Sequence, residues 1–181
     1  MSNVESKEQK EKWSGYLALS TAIMAVLAAL TTLYMGKYSS RAIMAQGQES
    51  DQWAYYQAKS IKQHTFEISR NALELQFHSQ KDLPVSVTED FQKTLKKYTD
   101  DIKRYETEKK EIKEKAESIA KAKLKAQDMG GNFAYSLIFL QIALMLSSIS
   151  SLTKRKYLWY IGLACNLGWL FFFIDAWILF Y

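Results

Sequence analysis

The chain has 181 residues, a formal charge of +5 and a mean hydropathy of −0.23, averages that fit one ordinary soluble domain. Seven Gly and one Pro exclude collagen-like or Pro-rich chains, and one Cys excludes a disulfide scaffold or a Cys-based zinc site. The averages conceal a division by solvent: residues 15–36 carry no charge, and residues 132–181 carry only Lys154, Arg155, Lys156 and Asp175.

Residues 1–14 form a tail of mixed charge, which places it outside a membrane. Residues 15–36 predict the first transmembrane helix, since 22 uncharged residues reach about 33 Å against a bilayer core of about 30 Å. The apolar run is longer than a signal peptide's, and the tail before it is not simply basic, so an uncleaved anchor is expected. Within it Gly15, Ala18, Ala22, Ala25, Ala29, Thr32 and Gly36 recur at alternating steps of three and four. Small side chains let helices approach closely in lipid, so this stripe is expected to be a membrane helix packing face.

Residues 37–129 predict an extramembrane, coiled-coil-like antiparallel helical hairpin. In its first arm, Trp53, Tyr56 and Ser60 line one side. The heptad Ala54, Ile61, Ile68, Leu75, with Ala58, Thr65 and Ala72 between, is expected to form the seam. A loop is expected near 78–85, around the lone Pro84, and Ser86 to Glu89 matches a helix-start capping box. In the second arm Leu95, Tyr98, Ile102, Tyr105, Ile112, Ala116, Ile119 and Ala126 fall at a/d spacing, with Lys109 and Lys123 at two seam positions. Trp53, Tyr56, Ile61, Ile68, Leu75, Tyr98, Ile102, Tyr105 and Ile112 are therefore the expected hairpin contacts. A two-helix hairpin buries little by itself, so further copies are expected to complete the core. The interleaved acids and bases of the second arm read as a solvated face, not a nucleic-acid patch.

Residues 130–152 predict a hinge at Gly130-Gly131 and a second membrane helix, with Ser136, Ala143, Ser147 and Ser150 as its small face. A basic turn at 153–156 and an aromatic-rich third membrane helix at 157–181 follow. Short-loop Lys and Arg mark the cytoplasmic side, so Lys154, Arg155 and Lys156 are the topology signal. They place the N-terminus in the cytoplasm and the hairpin on the opposite side.

Chemistry-bearing residues are sparse. His64 and His78 have no Cys or acid cage, Cys165 reads as an inert thiol, and no nucleophile–base pair or phosphate loop is visible, so no catalytic, cofactor or metal residue is expected. Asp175, Asn166 and Gln141 lie in apolar segments and form the candidate intramembrane polar site.

Three stretches carry a resemblance: DQWAYYQAKSIK at 51–62, EKWSGYLALSTAI at 11–23 and LQIALMLSSISSLTKRKYLWYIGLA at 140–164. On these the chain resembles the bacterial membrane-protein family called domain of unknown function 4337. The resemblance implies three spans with a helical insert and carries over no activity.

The expected fold is thus an all-α membrane protein of three transmembrane helices, with a long antiparallel helical hairpin inserted between the first and second. The expected function is non-enzymatic: a self-assembling structural scaffold or partner-docking platform, multi-pass in the bacterial inner membrane with its hairpin periplasmic. Its expected partners are membrane lipid, further copies and an unidentified protein, with no nucleic acid and no cofactor. One alternative is a channel or transporter subunit using Asp175, Asn166 and Gln141. A second is a sensor-like ectodomain working through a separate partner.

Overall fold

The structure is a computed structural model. It describes residues 2–79 and 84–179, with side chains described from residue 13 onward. The chain is all-helical: α1 (Ser2–Ser79), α2 (Val85–Thr153) and α3 (Lys156–Ile178). Each helix is long and apolar enough to cross a membrane. Contacts divide the chain into two units, Met1–Ile43 with Lys123–Tyr181, and Met44–Ala122.

In the first unit α1 packs on α2 and α3 through Leu17, Met24, Thr31, Tyr38 and Ala42, all buried. The small face expected on α2 is at the centre of this packing, with Ser136, Ala143, Ser147 and Ser150 all buried. Helix α3 approaches it closely: a methyl group at Gly162 would stand 3.1 Å from the Ala143 carbonyl oxygen, and one at Gly168 would stand 2.7 Å from the Phe139 ring. Two residues join the helices. Lys154 takes the left-handed region at φ 54 and Arg155 is extended. The Ser150 hydroxyl donates to the Arg155 carbonyl at 2.9 Å, closing the turn.

In the second unit α1 and α2 contact one another in antiparallel order. Phe77 meets Phe91, Phe66 meets Tyr98 and Tyr105, and Lys59 meets Glu108. The α2 side matches the heptad expectation. Tyr105, Ile112 and Ala116 are buried, while Tyr98 and Ile102 are half-buried. The α1 side does not. Ile61, Ile68 and Leu75 are 67%, 69% and 72% exposed, and Ala54, Ala58, Thr65 and Ala72 are exposed with them. The contact stripe is the side of Trp53, Tyr56 and Ser60, continued by Gln63, Phe66, Leu73 and Phe77, all half-buried. The physical reason is that α2 offers Tyr98, Tyr105 and Lys109 as partners. Aromatic rings and side-chain amides meet these better than an aliphatic row does.

Two local expectations are also corrected. The helix passes unbroken through Gly130-Gly131, and no glycine among the described residues has a positive φ, so the pair does not interrupt the helix. Gly130 is buried against Ser39 and Tyr38 of α1, so its small size serves packing. Helix α2 begins at Val85, with the Pro84 carbonyl accepting from the Val87 and Thr88 amides, so Ser86 lies inside the first turn and is not its cap. Loop residues 80–83, the side chains of the charged tail before residue 13, and the last two aromatics of the third segment lie outside the described residues.

Candidate functional site: polar links among the apolar helices and a cation–aromatic clasp

The first unit places a short ladder of polar contacts between apolar helices. A buried polar atom away from water must find a partner, so such contacts fix rotation and depth of a helix where apolar packing alone is permissive. Along α1, the Ser20 hydroxyl accepts from the Trp159 indole at 3.1 Å, and Thr31 accepts from the Trp169 indole at 3.2 Å. Between these the Asn166 amide lies 3.2 Å from the Met24 sulfur. Trp169 joins all three helices, because its carbonyl also accepts from the Ser136 hydroxyl at 3.1 Å. At the far end the Asn132 amide donates to the Asp175 carboxylate at 2.7 Å, with Asp175 only 1% exposed.

Around the Asn132–Asp175 pair lies a wall of aromatic rings centred on Phe133, which has no exposed surface. Tyr34 and Tyr38 stack on it at 5.5 and 5.7 Å, and Phe173 meets it edge-on at 5.4 Å. Helix α3 closes just beyond: Leu179, at φ 50, donates its amide to the Asp175 carbonyl at 2.7 Å. The carboxylate is therefore held from the side by α2 while its own backbone ends the helix.

The candidate trio from the sequence is not one site. Asp175 is paired with Asn132, Asn166 sits more than two helical turns away beside Met24, and Gln141 is exposed. Asn132 and Thr31 were missed, although a count would have found the first. Asn132 stands 22 residues before Lys154 and Asp175 stands 20 after Arg155, which puts them at one depth in an antiparallel pair. The stripe Gly15, Ala18, Ala22, Ala25, Ala29, Thr32 and Gly36 is exposed throughout, one residue out of step with the face that packs inside the chain.

The second unit holds a clasp built on the DQWAYYQAKSIK motif. Lys59 forms an ion pair with Glu108 at 2.6 Å and lies over the Tyr55 and Tyr105 rings at 5.3 and 5.2 Å. Its hydrogen bond with Glu108 raises the Lys59 pKa above its ordinary value. Lys109, expected as an awkward seam lysine, is satisfied within the chain. It donates to Ser60 at 3.3 Å and Gln63 at 3.2 Å, and lies over the Tyr56 ring at 5.2 Å. One turn on, Glu67 is bonded to His64 and Gln63, each at 2.9 Å, and these bonds hold its carboxyl below the ordinary range. Among the described residues no group of three or more His, Cys, Asp or Glu is placed to hold a metal ion.

The fold and these contacts define an all-helical protein with three helices fit to cross a membrane and polar groups paired between them. The chain belongs to the family described as Domain of unknown function (DUF4337), which matches it over residues 13–179. No curated protein and no solved structure matches it.

Proposed function

We propose that the protein is a non-enzymatic, self-assembling scaffold of the bacterial inner membrane, with α1, α2 and α3 as three spans and the charged helical pair as its extramembrane docking platform. The observation that carries this reading is the small-residue stripe of α1. Gly15, Ala18, Ala22, Ala25, Ala29, Thr32 and Gly36 stay exposed while the neighbouring row, Leu17, Met24, Thr31 and Tyr38, is buried within the chain. A shallow groove lined by Ser14, Ala18, Ala22, Ala25 and Ser151 lies along it. In lipid, backbone proximity and dispersion drive helix association, and a groove of small residues admits the ridge of another helix. The pairing of Asp175 with Asn132 supports a structural role for that acid over a place on an ion path.

The test is the mass of the full chain in detergent or nanodiscs by mass photometry across concentration. A defined oligomer is expected, and Ala22→Leu with Ala25→Leu should weaken association about tenfold, a loss near 1.4 kcal/mol. A strictly monomeric protein at every concentration would overturn the proposal.

A further inference from the structure

The second unit leaves a different face without a partner. On α1 the residues Ala54, Ala58, Ile61, Thr65, Ile68, Ala72 and Leu75 follow one another at strict steps of four and three, and every one is exposed. That spacing over three heptads is the signature of a helix seam. Within the chain the seam is not used, because α1 meets α2 through Tyr56, Ser60, Gln63 and Phe66 instead.

Charge shows which helix meets water and which meets protein. Residues 85–122 of α2 hold 19 charged side chains, whereas residues 44–79 of α1 hold seven. Between residues 88 and 122 no large apolar side chain is exposed. The outer face of α2 is thus finished as a solvated surface, and the outer face of α1 is finished as a contact surface. The positions flanking the stripe agree. They are Tyr55, Lys62, Ser69 and Gln76 on one side, and Gln57, His64, Asn71 and His78 on the other. In a parallel, in-register pair, Gln57 faces Lys62 of the second copy, His64 faces Ser69 and Asn71 faces Gln76. No two like-charged Lys, Arg, Asp or Glu oppose one another.

We infer that the stripe from Ala54 to Leu75 is the seam of a parallel, in-register pairing with the same stripe of a second copy of this chain. The inference rests on the self-assembly reading above and adds its partner, direction and register. Copies inserted with one topology each enter the stripe at Ala54 and leave it at Leu75, which favours the parallel direction. The small residues Ala58, Thr65 and Ala72 allow the two α1 helices to approach closely, and Ile61, Ile68 and Leu75 form the apolar layers between them. The two α1 helices form the inside of the assembly and the charged α2 helices its outside.

The test uses the full chain with its lone cysteine removed (Cys165→Ala) and single cysteines introduced, treated with a short bismaleimide in the membrane. Ile61→Cys and Leu75→Cys should each cross-link to themselves, with yields about tenfold above Lys110→Cys on the outer face of α2, as expected for sites held at high effective concentration. Only a parallel register brings both of these positions to their own copies, since an antiparallel pair does so at one position alone. Ile68→Lys, at a position 69% exposed within the chain, should abolish the cross-links at both positions. If mass photometry gives an oligomer while Ile61→Cys or Leu75→Cys fails to cross-link, this pairing is overturned and the scaffold reading stands. A strictly monomeric protein overturns both.

Discussion

Gly168 and Gly131 make opposite demands, although both are glycines inside helices. At Gly168 an added methyl group would fall 2.7 Å from Phe139, and that ring is itself stacked on Phe172 at 5.6 Å, so it has little room to yield. Forcing a carbon into such a packed site costs about 1–3 kcal/mol, against a gain of about 1 kcal/mol from replacing Gly in a helix. At Gly131 nothing stands within 4 Å of the added carbon, so only the gain remains. Gly168→Ala should therefore lower the melting temperature of the detergent-solubilised chain, and Gly131→Ala should leave it unchanged or raise it. Equal melting temperatures for the two variants would show that Phe139 moves aside and that the α2–α3 contact is looser than its distances imply. Asn132 and Asp175 show a second kind of residue-level constraint. The acid is tolerated between apolar helices because an amide from another helix donates to it, as a buried polar group requires.

The charged pair of helices owes part of its stability to groups that titrate. Glu67 has a lowered pKa in the folded chain, so its contribution is complete above the ordinary value of 4.5 and disappears as pH falls through the lower folded value. Glu67 is about a third exposed, which limits this contribution to less than about 1 kcal/mol. Thermal unfolding followed by circular dichroism from pH 6 downward should show an acid limb that Glu67→Gln flattens and the exposed Glu114→Gln does not. An identical acid limb in both variants would remove His64 and Gln63 from any stabilising role. Lys59 gives the reverse sign: its contribution holds below its ordinary value of 10.5 and is lost as pH rises through the raised one. These contacts were only half legible beforehand. The α2 seam could be read because Tyr98, Ile102, Tyr105 and Ile112 are apolar positions set among charges. The α1 seam was misread because its most regular aliphatic row, Ile61, Ile68 and Leu75, is the row that faces outward. Periodicity shows that a face will be covered, and it does not say by what. The residues that do face α2 include Ser60 and Gln63, whose polarity hides them until Lys109 is seen beside them.

The net charge of +5 has a different meaning once the chain is divided between lipid and water. Three of those charges, Lys154, Arg155 and Lys156, sit in the two-residue join and first turn between α2 and α3. Short loops with Lys and Arg resist translocation, while a long segment crosses largely regardless of its charge. Residues 37–131 are such a segment, with 18 basic and 15 acidic side chains. The proposed orientation follows: the turn and the N-terminus in the cytoplasm, and the charged helical pair on the other side. Single cysteines in the Cys165→Ala background test it with a membrane-impermeant maleimide on spheroplasts. Lys110→Cys should label without permeabilisation, and Ser151→Cys, close to the turn, only after it. Replacing Lys154, Arg155 and Lys156 together by Gln should remove the bias and give partial labelling at both positions, because the sequence has no other run of three consecutive Lys or Arg. The opposite labelling pattern in the unaltered chain would reverse the orientation. It would then be the Lys115, Lys121, Lys123 and Lys125 row of α2, nearest the second span, that holds the membrane side.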